Sequence, residues 1–462
     1  MGFSEVKMQF LAAVVVALQT TGYGIINGWS SPNNIKLRSD TDNPLPSGKL
    51  TENEISLTSS IVAIGAMIGI PIAGFLANKI GRKWPILLLT IPITVSWLLI
   101  WFAQNVYYLY VGRAIQGAVE GAIFSLCQFY FIEISDLSVR GTLCASTVLA
   151  GHIGIPVAFA LGYLDWAVTP IFSIALSVLA AILMYWFPET PTYLVKQNKI
   201  TEAETSIRFY KNLRANPEAD KIVQIEMESI KSGMTQTQAD MANKSSAKLS
   251  DFLTNPGRKA MTIGIVLAAL NQLTGAFVLI AYAGTVFQKS GSALSPNDSA
   301  LIIGFIQLIG TFLVPLSIEW IGRKVLYGTS TVSSVVGFAF LGTYLMFQSW
   351  DYDVSHLNWI PVVCCSFVVL AQSLGVSTLS CTITAEVMPK NIKEIGLTIS
   401  NFTMCAVGTL VLQFMSNVDD ALGQFGTMYL FGGLSIPAAV FVVFYIPETK
   451  NKSYEQIMAE LK

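Results

Sequence analysis

The stretch LANKIGRKW (Leu76–Trp84) lies between two long apolar runs, and IEWIGRKVL (Ile318–Leu326) lies between two more. Only 12% of the 462 residues are charged, yet the chain writes nearly the same basic turn twice. Working outward from these turns, the apolar runs are long enough to cross about 30 Å of hydrocarbon. Twelve are counted: 8–30, 55–78, 84–104, 107–134, 142–164, 166–187, 258–288, 299–321, 325–348, 358–388, 394–418 and 422–446. Each GRK turn joins the second and third helix of a six-helix set.

Composition agrees. The chain is 53% hydrophobic, with a mean hydropathy of +0.56, whereas soluble domains carry roughly 25% charge. A net charge of -1 and the lack of a basic stripe exclude nucleic acid as a partner. The six cysteines lie inside apolar runs without metal-ligand spacing and read as small packing residues. The first apolar run has no cleavage site of the signal-peptide kind.

The domain reading is a bundle at 1–187, a polar linker at 188–257, a second bundle at 258–449 and a tail at 450–462. Within the linker, TEAETSIRFYKNLR and DKIVQIEMESIKSGM repeat apolar residues at helical spacing, which predicts amphipathic surface helices. Orientation follows from the basic residues. With both termini cytoplasmic, all but Lys36, Arg38, Lys49, Lys289 and the intramembrane Arg113 of the 28 Lys and Arg lie inside. Two similar six-helix halves read as a parallel repeat, the arrangement of major facilitator transporters.

The repeat extends beyond the turns. Glu133 and Arg140 are seven apart at the end of the fourth helix, and Glu386 and Lys393 are seven apart at the end of the tenth. FPETP (Phe187–Pro191) closes one half and IPETK (Ile446–Lys450) the other. Opposite charges gathered at one face supply a cytoplasmic latch that closes when the halves meet and opens when they rock apart. Its expected members are Arg82, Lys83, Glu133 and Arg140 in one half, and Arg323, Lys324, Glu386 and Lys393 in the other.

Together with GWSSP (Gly28–Pro32), GRAIQGA, RGTL, GHIGI and NQLTGA, these motifs make nearly the whole chain resemble the sugar porters of the major facilitator superfamily, above all the insect facilitated trehalose transporters. The resemblance implies an all-α membrane protein of two six-helix bundles joined by a cytoplasmic helical linker. It further implies plasma-membrane residence and facilitated movement of trehalose or a hexose by alternating access, with the sugar and the bilayer as partners and no cofactor. Alternating access needs only a monomer, and the sequence does not specify an oligomeric state.

Sugar hydroxyls both donate and accept, so neutral amides and hydroxyls suit them. The candidates are Asn27 and Gln19 in the first helix, Gln128 in the fourth, and Asn271, Gln272, Thr274 and Tyr282 in the seventh. Gln307, Gln372 and Asn401 follow in the eighth, tenth and eleventh. Interhelical hydrogen bonding is the competing role for each amide. Several positions depart from the hexose-porter pattern. Asn271 replaces a glutamine, Phe277 an asparagine and Cys381 a tryptophan, Thr192 and Trp320 replace basic residues, and SLGVSTLSC lacks the proline of a bend. These departures leave open a sugar sensor or degenerate paralogue that does not transport, and a proton-coupled carrier, as alternatives. No acid pair, nucleophile constellation or metal cluster points to an enzyme.

Three ionisable groups lie inside the apolar runs and away from their ends: Arg113, Glu120 and His152. At 1.5 Å per residue, Glu120 and His152 fall near mid-membrane, where a charge costs roughly 2.5 kcal/mol or more and marks a partner or a pathway. Glu120 is expected to pair with Arg113 through Gln116, or with His152, as a structural bridge or as a protonatable group that makes transport pH-dependent. Of the sequons at Asn243, Asn297, Asn401 and Asn451, only Asn297 is expected outside, as a glycosylation site.

Overall fold

The computed structural model describes residues 3–213, 219–243, 249–252, 254–292, 294–389, 391–450, 452 and 454–461. Parts of the linker and tail, including the sequon at Asn451, lie outside the described residues. The architecture is helical. The first half crosses with Phe3–Gly28, Glu52–Ile80, the paired pieces Lys83–Leu88 and Thr90–Trp101, Val106–Ile134, Leu137–Leu161 and Val168–Tyr185. The second half has Asn255–Leu273 continued by Ala276–Ala281 and Ala283–Ser290, then Pro296–Ile321, Arg323–Ser349, and Ile360–Leu374 continued by Val376–Val387. The final stretch, Lys393–Tyr445, is 53 residues long, more than twice the span of a bilayer. It turns back at Gly423, whose φ of 69° and ψ of 166° only glycine adopts readily, and so supplies the eleventh and twelfth crossings.

Local chemistry sets the helix ends. Thr51 and Glu54 form a reciprocal capping box. Asn105, Thr254 and Ser295 each accept a backbone N–H of the first turn. The second and fourth helices approach backbone to backbone, because a Cβ on Gly117 would lie 1.9 Å from the Val62 carbonyl oxygen.

Two crossings of the second half are broken, and side chains satisfy the freed backbone. At the break in the seventh helix, the Gln372 amide donates to the Thr274 carbonyl (2.7 Å) and its oxygen accepts from the Ala276 N–H (3.1 Å). The tenth helix breaks at Gly375 without a proline. The Ser330 hydroxyl donates to the Ala371 carbonyl (2.6 Å) and accepts from the Val376 N–H (3.3 Å). The bend that the proline-free SLGVSTLSC appeared to lack is therefore present.

Both amphipathic linker segments form helices, Ile200–Tyr210 and Ala219–Asn243. Ala203, Ile207, Val223 and Met227 share a small core with Leu194 and Val195. The first of these helices docks on the first bundle. Lys211 pairs with Asp136 and Glu226, both at 2.7 Å, and the Tyr130 and Tyr210 hydroxyls lie 2.8 Å apart.

Candidate functional site

Each GRK turn is a three-part joint inside its own half. In the first, the Glu189 carboxylate accepts the backbone N–H groups of Arg82 (3.0 Å) and Lys83 (3.1 Å). An anion at the start of a helix is stabilised by the orphan N–H groups and by the helix dipole. The Arg82 guanidinium pairs with Glu133 at 2.6 Å, and Thr190 donates to the other Glu133 oxygen, also at 2.6 Å. Lys83 donates instead to the Tyr185 carbonyl. The second half repeats the plan, with Glu448 accepting from the N–H groups of Arg323 and Lys324, both at 3.1 Å, and Arg323 lying 3.5 Å from Glu386. Gly81 and Gly322 sit at φ 95° and 96°, and a Cβ there would lie 2.3 Å from Glu189 Oε2 and 3.0 Å from Glu448 Oε2, respectively.

Two expected partnerships are absent. Arg140 reaches back to the Ser135 carbonyl at 3.1 Å and makes no pair with Glu133, because the chain turns at Ser135–Asp136 and places Arg140 on the following helix. Lys393 is exposed and has no ion pair among the described residues. Nor does any described hydrogen bond or ion pair join the two halves at the GRK end; the charges gathered there hold each half to itself.

The halves meet at the opposite end. Arg38 binds Glu52 through two hydrogen bonds, at 2.7 and 2.5 Å, and crosses to Thr285 at 2.6 Å. The hydroxyls of Ser56 and Ser416 lie 2.8 Å apart, Ser60 donates to Gln413 at 2.8 Å, and the Gly284 N–H donates to Ser31 at 3.0 Å. Tyr282, expected to bind solute, belongs to this closure through Ser56 (3.4 Å) and the Leu412 carbonyl (3.3 Å). Arg38, Glu52, Ser56 and Ser416 were not among the sequence candidates; Arg38 was visible only as one of the few basic residues away from the GRK end.

At mid-depth the amides divide. Asn271 donates to the Val376 carbonyl (3.1 Å), Thr274 is locked to Gln372, and Gln128 donates to Thr147 (2.9 Å). These three hold helices together. Gln19 makes a long bond to Thr90 (3.4 Å). Gln272 donates to Asn271, but its Oε1 is buried and has no partner in the protein; Gln307 Oε1 is likewise unpartnered. Asn401 is half-buried on the eleventh helix and makes no described hydrogen bond.

Neither expected pairing of Glu120 forms. Arg113 donates to the Ile26 carbonyl (2.7 Å), Gln116 (2.9 Å), Ser30 (2.9 Å) and the Thr58 carbonyl (3.4 Å), and it lies over the Trp29 ring. His152 crosses the halves to Thr311 at 2.6 Å. Because Thr311 donates to the Gln307 carbonyl, it accepts from His152, which places the proton on Nδ1. Glu120 instead accepts from Asn27 at 3.1 Å, and its Oε2 is buried without a partner. Asn297 stands in the first turn of the eighth helix, half-buried, with Ser299 of its sequon fully buried. Among the described residues no cluster of His, Cys, Asp and Glu could hold a metal.

A membrane-spanning bundle of two six-helix halves, hydrogen-bonded to each other at mid-depth and at one end, has the architecture of a transporter of the major facilitator fold. The chain belongs to the sugar (and other) transporter family, whose model matches residues 8–461. It is 31% identical over 454 residues to the facilitated trehalose transporter of Bombyx mori, covering 98% of this chain and 86% of that one. The corresponding Anopheles gambiae transporter is 28% identical over 451 residues, and there the match spans 97% of this chain but 55% of the relative. In fold it is similar to the inward-open xylose transporter of E. coli, with a TM-score of 0.76, 20% identity, and coverage of 98% of this chain and 99% of that one.

Proposed function

We propose that the protein carries a sugar, trehalose or a hexose, down its gradient across the plasma membrane by alternating access, with both termini and both GRK turns cytoplasmic. The one-ended seam carries this reading. Every described hydrogen bond between the halves lies at mid-depth or at the end opposite the GRK turns, so rocking about that seam opens and closes a central path. The inward-facing Lys and Arg bias supports the orientation. The unpartnered oxygens of Gln272 and Gln307 suit sugar hydroxyls, which donate. The names of the insect relatives support trehalose.

The deciding experiment is uptake of labelled trehalose and glucose by proteoliposomes without a proton gradient. Saturable uptake, accelerated by unlabelled sugar on the far side, is the expected result; no uptake of either sugar overturns the proposal. A glycan on Asn297 belongs to the same orientation. It predicts a glycosidase shift that Asn297→Gln abolishes, and modification at Asn243 would reverse the topology.

A further inference from the structure

Glu120 sits at the centre of Val106–Ile134, the fourth helix. One carboxylate oxygen accepts from Asn27 on the first helix. The other is buried and has no hydrogen bond. The groups within electrostatic range come from both halves. Arg113 and Tyr23 lie on the first-half side, and Cys405 on the eleventh helix of the second half. Tyr23 in turn is in range of Cys381 on the tenth helix. Glu120 therefore lies beside the seam between the halves.

The nearby cation does not neutralise it. Arg113 is fully engaged with two backbone carbonyls on the first half's helices, with Gln116 and Ser30, and with the Trp29 ring, and no ion pair joins it to Glu120. A carboxylate supported by a single amide, with one acceptor oxygen free at mid-membrane, is not a completed structural bridge. A carboxyl group left unpaired there calls for a partner that comes and goes, and a cationic partner would hold it ionised.

We propose that Glu120 is a solute-contacting residue that selects among sugars, favouring one that carries an ammonium group over its neutral parent. This rests on the carrier reading above and names the group that sets its specificity. The free Oε2, once ionised, takes a charge-assisted hydrogen bond from a sugar hydroxyl, and from an ammonium group on the same ring it takes one that adds the attraction of opposite charges. In the path, shielded from bulk water, the difference corresponds to about a tenfold preference.

The test is competition between glucosamine and glucose for labelled glucose uptake in proteoliposomes at pH 7, with sugar-dependent melting of the purified protein read in parallel. Wild type is expected to show about tenfold lower half-inhibition for glucosamine and a larger melting shift. Glu120→Gln, which keeps the side chain's shape, is expected to bring the ratio to about one, and Glu120→Asp to leave it intermediate. A wild-type ratio of one, or a preference that persists in Glu120→Gln, overturns the inference. If melting responds to glucose with no glucosamine advantage, this inference alone fails. If it responds to neither sugar, this inference fails, and if trehalose also gives no response, the carrier reading fails with it.

Discussion

The Arg82 guanidinium stands 2.6 Å from the Glu133 carboxylate, with the two side chains 13% and 12% exposed. Its counterpart, Arg323 to Glu386, is stretched to 3.5 Å at 24% and 28% exposure. The duplicated sequence thus makes one tight joint and one loose joint. Removing one partner of a shielded pair leaves an uncompensated charge. Glu133→Gln is therefore expected to cost about 3 kcal/mol, and Glu386→Gln less than about 1 kcal/mol. Melting of both variants in detergent checks this, and equal losses would show the joints to be equivalent.

Glu189 and Glu448 act on backbone amides. Loss of a helix-start acceptor costs about 1 kcal/mol, so Glu189→Ala and Glu448→Ala are each expected to destabilise by about that much. Amide exchange at residues 82–83 and 323–324 should accelerate in the matching variant only. Unchanged exchange would mean that water replaces the carboxylate without loss.

The Ser56 and Ser416 hydroxyls meet across the seam at 2.8 Å. A Ser56→Cys, Ser416→Cys double variant is expected to crosslink under mild oxidation and to lose uptake, with both effects reversed by reductant. A crosslinked protein that still transports would show that this end never needs to open.

Lys211 ties the linker to the first bundle. Burial alone would lower its pKa, but its bonds to Asp136 and Glu226 outweigh burial and raise it. A raised folded-state value makes the contribution to stability complete below the ordinary lysine pKa of about 10.4. The contribution is then lost as pH rises through the higher folded value. Asp136→Asn should therefore loosen the linker to protease at pH 7, and wild type should approach the variant above about pH 10.5. Identical cleavage at neutral pH would rule out this tether.

Periodicity and turn chemistry made the crossings, the GRK repeat and the linker helices legible, because those depend on neighbours in sequence. Partner choice was not legible. Glu133 and Arg140 have the spacing of a pair, but a chain reversal at Ser135 separates them. Glu120 and Arg113 share a helix, yet Glu120 takes Asn27 and Arg113 takes the carbonyls of helices packed beside it. Asn271 and Thr274 read as sugar ligands, and the structure shows them bonded across the broken helices, a pairing that their spacing does not announce. The closure at Ser56 and Ser416 depends on residues 360 apart in the chain, and nothing in the spacing of small hydroxyls announces that.

The pocket that receives Glu189 exists because residue 81 has no side chain; a methyl group there would stand 2.3 Å from the carboxylate oxygen. Glycine at 81 and glutamate at 189 are thus one heritable unit. An alanine at 81 forces the carboxylate to shift away and strains a backbone held at φ 95°. A genetic screen would place lesions at the two positions in a single phenotypic class, and a compensating change at 189 could not rescue residue 81 while the backbone there stays left-handed.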